Sequence, residues 1–186
     1  MQQIPKLFML LLGCKPKGRH IEQHDLFFTI SDCLKNTLPH IKEFWTDAGT
    51  VHIDAWREVT EVEGYQIEVV PTSNKSKNTL KLFFINLGGY KPNEFEEYHY
   101  KMLVVAENKT LAIHKAKASA FYKHTGFKGA ASHIDDKYGI DVDDFYNIED
   151  ILPFYMKKNY RLRITKKNKT VEDKWLIGYT NLSKIK

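Results

Sequence analysis

Leu7-Phe8-Met9-Leu10-Leu11-Leu12-Gly13-Cys14-Lys15-Pro16 decides the fold, because the chain writes it again as Leu82-Phe83-Phe84-Ile85-Asn86-Leu87-Gly88-Gly89-Tyr90-Lys91-Pro92. In each copy an apolar run ends in Leu-Gly and a Lys-Pro pair follows. A Glu-x-His comes a few residues later, as Glu22-Gln23-His24 and Glu97-Tyr98-His99. Short apolar runs closed by glycine suit strands buried on both faces. Gly13 to Gly88 and His24 to His99 are both 75 positions, the Lys-Pro pairs need 76, and His52-Ile53-Asp54 returns after 81 as His133-Ile134-Asp135. Steady strand spacing, with the drift held in loops, is what a duplicated unit should show.

Working outward from Leu7–Pro16, His24–Ser31 is rich in β-formers and aromatics and is expected to be a second strand. Leu34, Leu38, Ile41 and Phe44 recur at helical spacing through Cys33–Trp45. Asp32 is placed as the N-cap of that helix, and Pro39 should kink or divide it. Val51–Trp56 and Tyr65–Val70 alternate as strands do. In the second half the order repeats with strands at Lys81–Leu87 and Tyr98–Ala106 and a helix at Thr110–Lys123. Asp143 or Asp144 is then positioned to cap a short helix closed by Pro153. Tyr160–Ile164 matches Tyr65–Val69 in alternation, and Trp175–Leu182 closes the chain as a strand.

The expectation is therefore an α+β protein of two tandem, pseudo-symmetric ββαββ units of the β-grasp roll kind, with ferredoxin-like halves as the alternative. Residues 1–78 form the first unit. Residues 79–186 form the second, with an inserted short helix and a basic C-terminal hairpin.

With 42% apolar and 13% aromatic residues among 186, the chain has ample material for a packed core. No run approaches the roughly 18 apolar residues of a membrane span. Leu11-Leu12-Gly13-Cys14 has the form of a lipoprotein cleavage site. Its apolar core of six residues is shorter than the roughly 7–15 of a signal peptide, and the internal second copy could not act as one. Retention of Leu7–Leu12 is expected, and with it a soluble, cytoplasmic protein. Cys14 and Cys33 have no Cys-x-x-Cys spacing and are expected to be reduced, partly buried thiols.

Charge is uneven. Residues 157–186 hold ten Lys/Arg against Glu172 and Asp173, a balance of +8 that leaves −3 for the rest. Between Asp135 and Asp150 lies an acidic segment that begins like a calcium-binding EF-hand loop at Asp141-Val142-Asp143. Phe145 and Tyr146 stand where that loop needs a ligand and a glycine, so the calcium pattern fails.

Several of these motifs together resemble a bacterial family catalogued as a domain of unknown function, number fifteen forty-three. They are Leu12-Gly13-x-Lys15-Pro16, Ile21-Glu22-Gln23-His24-Asp25, His52-Ile53-Asp54-Ala55-Trp56-Arg57-Glu58, Leu87–Pro92, Phe95-Glu96-Glu97 and Ser132–Gly139. The resemblance runs to about Leu152. It implies a bacterial protein with a duplicated domain, and it carries over no activity, cofactor or catalytic residue.

Three sets of residues could carry chemistry. Gly13, Lys15, Glu22 and His24, with Gly88, Gly89, Lys91, Glu97 and His99, could form loops that cradle a small anionic ligand. A tight turn at each glycine is the plainer expectation. His52 with Asp54, and His133 with Asp135, place imidazole and carboxylate on one strand face, as a metal site or a structural hydrogen bond would need. Arg161 and Arg163 share a face, and Trp175 could stack a base, so nucleic acid is a possible partner of the basic hairpin. A Gly-x-x-Gly at Gly126–Gly129 is too short to carry that by itself. The leading expectation is a binding or interaction protein with a ligand cleft between duplicated halves. Its rivals are a metal-dependent hydrolase using the paired His and Asp residues, and a nucleic-acid-binding protein.

Overall fold

A computed structural model describes residues 4–74, 79–90, 93–118 and 141–185. Within it the chain is mixed α+β, with mostly antiparallel sheets and few helices. Two compact units are formed: residues 1–76 together with 152–186, and residues 77–151. Everything after Leu152 thus belongs with the amino-terminal residues rather than with the half expected to run from 79 to 186.

In the first unit, β1 (Lys6–Cys14) is the inner strand the apolar run foretold. Its side chains from Leu7 to Leu10 are all buried, so both faces are covered. It lies antiparallel between β2 (Gln23–Ser31) and β3 (Val51–Val59). Phe8, Leu10 and Leu12 form one core with Phe27, Ile53 and Ile41. Ile41 comes from α1 (Leu38–Phe44), which holds Pro39 in its first turn, where a missing N–H costs nothing. A short 3-10 turn, Lys35–Thr37, precedes it. Pro39 therefore divides the expected helix. Asp32 does not cap it; its Oδ1 accepts instead from Asn36 Nδ2 at 2.7 Å.

A two-residue β4 (Glu61–Val62) and β5 (Tyr65–Pro71) form a second sheet. The second unit supplies β6 (Lys81–Tyr90) between β7 (Glu97–Ala106) and β8 (Asp141–Asn147). Phe83, Ile85 and Leu87 of β6 pack with Val104 and Ala106 on Ala112 and Ala116 of α2 (Lys109–Ala118). Asn108 Oδ1 accepts from Leu111 N at 3.0 Å and so caps α2. The helix-facing residues of β1 and β6 stand 75 positions apart, as their spacing promised.

The acidic stretch from Asp141 is a strand, not a helix cap. Helix α3 (Ile148–Ile151) begins only after it. Beyond it, α4 (Phe154–Asn159) inserts Met156, whose sulfur accepts from Ile30 N at 3.3 Å in the first unit. Next, β9 (Tyr160–Lys166) pairs along β5 from Tyr65 to Pro71, so the two stretches that match in alternation are neighbours. Last, β10 (Leu176–Asn181) adds to the free edge of β3. Sheet order in the first unit is β10-β3-β1-β2 and β4-β5-β9. Since β9 and β10 pair with different strands, they do not make the expected basic hairpin.

Candidate metal centre at the Leu-Gly strand ends

Gly13 is opposite His24 on β2 and opposite His52 on β3. Directly paired residues put their side chains on one face of a sheet. Both imidazoles therefore stand on the face that carries Gly13, away from the core built on Leu12. Between Leu11 and Leu12 the β1–β3 register slips by one residue, and Asp54 is the extra residue. Such a bulge re-aims a side chain. Here it brings the Asp54 carboxylate over Gly13: a β-carbon at that position would collide with His52 Nε2 and come within 2.6 Å of Asp54 Oδ2. Glycine is required for close approach, inside a strand rather than in the tight turn expected of it.

The four polar side chains close a ring. His52 Nε2 lies 3.1 Å from Glu22 Oε1 and 3.2 Å from Asp54 Oδ1. His24 Nε2 lies 3.3 Å from Asp54 Oδ2 and 3.9 Å from Glu22 Oε2. Each carboxylate thus spans the two imidazoles with one oxygen to each, as an ion-paired ring does; three of the separations, 3.1 to 3.3 Å, are also near those of neighbouring ligands on one ion, and the fourth, 3.9 Å, is longer. Asp54 Oδ2 is buried and makes no hydrogen bond. Among the described residues neither Glu22 nor Asp54 has an ion pair with a lysine or arginine. Imidazoles are thus the carboxylates' ion-pair partners, a mixed nitrogen and oxygen donor set that a cation could share. The ring is open on one side: the side chains of Glu22 and His24 are both 44% exposed, while that of His52 is 6% exposed. Tyr179 of β10 covers the His52 ring, centroid to centroid 4.4 Å. It reaches there because β10 is irregular between Ile177 and Thr180, where Gly178 takes φ +136°.

The second unit builds a related cluster. Gly88 is opposite His99 and Asp141, and the β6–β8 register slips between Asn86 and Leu87, making Asp143 the extra residue. A β-carbon on Gly88 would strike the Asp143 carboxylate. His99 Nε2 is 3.1 Å from Asp143 Oδ2 and 3.9 Å from Glu97 Oε2. One ligand atom from each of Glu97, His99 and Asp143 lies within 4.8 Å of the others.

Asp141-Val142-Asp143 thus holds the ladder positions of His52-Ile53-Asp54, 89 residues on. The expected counterpart, His133 with Asp135, lies outside the described residues, as do Lys91 and the Gly126–Gly129 motif. Asp143 was missed as a site residue. The available signal was its pattern, a polar residue, a β-branched residue and an aspartate, rather than the letters His-Ile-Asp.

Of the other candidates, Gly89 lies within β6 and Lys15 is exposed just beyond β1. Arg163 is held bidentately by Glu68 at 2.9 and 3.0 Å. Nε and Nη2 of Arg161 are buried. The Trp175 ring carries the Arg57 guanidinium, 4.3 Å from its centroid. Cys14 and Cys33 are both free thiols, the first buried. Burial, then Glu22 and Asp47, raises the Cys14 thiol above its ordinary value. No described helix is long and apolar enough to cross a membrane.

The fold and its strand-end clusters define an antiparallel α+β protein with His-carboxylate groups built over glycines. Residues 19–69 match the model of the family described as Domain of Unknown Function (DUF1543). The resemblance therefore holds over a segment that contains Glu22, His24, His52 and Asp54. The chain is also similar to the crystal structure of a protein Il1583 from Idiomarina loihiensis, at 22% identity and a TM-score of 0.62, covering 96% of this chain and 97% of that one. That likeness concerns the fold. No curated protein matches the chain.

Proposed function

We propose that the protein binds a divalent transition-metal ion at the Leu-Gly end of the inner strand in each unit. One observation carries this: in each unit a Glu-x-His pair and a bulged aspartate converge over a glycine, and in the second unit one ligand atom from each of Glu97, His99 and Asp143 lies within 4.8 Å of the others. His and carboxylate donors of this kind suit Zn²⁺, Mn²⁺ and their neighbours. The recurrence of glycine, Glu-x-His and a bulged aspartate in both units supports a duplication of one ancestral ββαβ core. The ligand site expected of the protein is then a pair of metal sites, each inside one unit.

Metal analysis of protein purified without an affinity tag, followed by calorimetric titration with Zn²⁺ and Mn²⁺, tests the proposal. About two equivalents of metal per chain, reduced to about one in His24→Ala with His52→Ala, is the expected result. Absence of bound metal and of any binding heat in the wild-type protein overturns it.

The exposure of Glu22 and His24 favours a second reading, metal-assisted hydrolysis. An ion open on one side keeps a position for water, and bound zinc lowers the pKa of that water to about 7. The same open position suits a small anionic ligand in a protein that only binds. Metal-dependent turnover of chromogenic phosphate or carboxylate esters, abolished by Asp54→Asn, would separate catalysis from binding.

A further inference from the structure

We infer that the protein pairs with a second copy of itself along β10, edge to edge in an antiparallel two-fold arrangement that needs no metal. In the four-stranded sheet of the first unit, β2 and β10 are the outer strands. An outer strand presents unpaired backbone N–H and C=O groups, which proteins guard with charges, proline or a covering element. The edge of β2 has such guards: His24 and Asp25 stand near its start, and its Ile30 N–H donates to the sulfur of Met156. Leu176–Asn181 has no charged residue and no proline. Among the described residues β10 pairs with β3 alone, and the break at Gly178 lies in that pairing, where it brings Tyr179 over His52.

The side chains along this edge are apolar and share one face. Met9, Leu11 and Gly13 alternate onto one face of β1 and stand opposite Arg57, Ala55 and His52. The Trp175 ring lies over Arg57, Ile177 is opposite Ala55, and Tyr179 covers His52. Trp175, Ile177 and Tyr179 therefore form a strip on that face, exposed by 53, 81 and 65%. Single exposed apolar residues are ordinary, but a contiguous row beside an open backbone edge is the mark of an interface.

Such an edge accepts an uncharged, extended segment with apolar residues at alternate positions, and β10 is itself a segment of that chemistry. A two-fold axis beside Gly178 sets Ile177 of each copy opposite Tyr179 of the other, a β-branched and aromatic pair of the kind that stabilises antiparallel sheets. It also sets Gly178, at φ +136°, against Gly178, so the irregular residue meets no side chain. Lys174 then lies beyond the Asn181 end of the opposite strand, and no lysine faces a lysine. The two sheets join as one, with the first-unit clusters of both copies on the same face.

Sedimentation velocity of the full chain over a concentration series in the presence of a chelator, with hydrogen exchange measured at both ends of the series, tests the inference. A reversible dimer is expected, with the amides of Leu176–Asn181 exchanging more slowly at high concentration. Ile177→Lys places a charge on the open edge at a residue exposed enough to spare the fold, and should weaken association by about tenfold or more. Ile177→Val should associate as the wild type does. A wild-type chain that is monomeric at every concentration overturns the inference. So does a dimer that Ile177→Lys leaves intact, or β10 amide protection that is the same at all concentrations, the result expected if some other segment or ligand already covered the edge.

Discussion

Asp54 of β3 and Asp143 of β8 occupy the same place in their sheets: each is the extra residue of a bulge, turned over the glycine that ends a Leu-Gly pair. Neither carboxylate would reach an imidazole if its strand ran in unbroken register, because a one-residue slip decides which face a side chain takes. The bulge is thus the local device that converts two ordinary strand ends into clusters of convergent donors.

Gly13→Ala should leave the fold standing and disable the first site. The added methyl meets the ends of the His52 and Asp54 side chains, which can swing away, rather than backbone. Overpacking of this sort costs about 1–3 kcal/mol. Thermal melts should show that modest loss while Zn²⁺ affinity falls far more steeply. Gly88→Ala should do the same to the second site, through Asp143.

Tyr179 acts on the first site through His52. Removing the ring in Tyr179→Ala frees the imidazole to turn and admits water behind it. Loss of an outer partner of this kind typically costs about 10–100-fold in metal affinity. Tyr179→Phe keeps the stacked face and should stay close to wild type. Calorimetry on the two variants distinguishes orientation by the ring from a role for the hydroxyl.

Arg57 is the charged group whose loss the fold should feel most. Its guanidinium is 3.6 Å from Asp173, whose carboxylate is 1% exposed, and lies over Trp175. Burial pulls the Arg57 pKa down, and Asp173 opposes that shift. Removing one partner of a buried pair costs about 3–5 kcal/mol. Arg57→Ala should fall near the lower end, because Thr60 still donates to Asp173 from its backbone N–H at 3.1 Å and its hydroxyl at 2.6 Å. By contrast, Glu68→Gln breaks the half-exposed pair with Arg163 and should cost about 1 kcal/mol or less. Denaturant unfolding of both variants makes the comparison.

The two thiols should separate by reactivity. Cys14 is fully buried and its pKa is raised, first by burial and then by Glu22 and Asp47. Cys33 is partly exposed. A thiol reagent at mildly alkaline pH should label Cys33 quickly and Cys14 only on unfolding, as peptide mapping would show. The folded thiol of Cys14 holds its proton to higher pH than the unfolded one. Its contribution to stability is therefore intact below its ordinary pKa and declines as pH rises through and beyond it.

Much of this was legible in the chain itself. Phe8, Leu10 and Leu12 against Phe83, Ile85 and Leu87 carry their burial in their spacing, and Gly13 with His24 foreshadows Gly88 with His99. What could not be read was which strand lies across from each glycine. His133-Ile134-Asp135 repeats the letters of the first site, yet β8 places Asp141-Val142-Asp143 on the ladder. A bulge leaves no mark in hydrophobic alternation, since the extra residue simply looks like a break in it. Long-range partnership was equally hidden. Tyr160–Ile164 alternates as Tyr65–Val69 does because the two stretches line one ladder, and similarity of pattern was taken for equivalence of place.

The second unit is one uninterrupted stretch of chain, while the first is completed by strands from the carboxyl-terminal segment. Trp56 of β3 pairs with Leu10 of β1 on one side but waits for Leu176 of β10, 120 positions later, for its partner on the other. Domains usually fold in the order in which the ribosome delivers them. Here the half encoded later has all its described strands in hand before the first half is complete. A chain ending at Ile151 would contain every strand that carries Glu97, His99 and Asp143, while His52 still lacked the tyrosine that shields it.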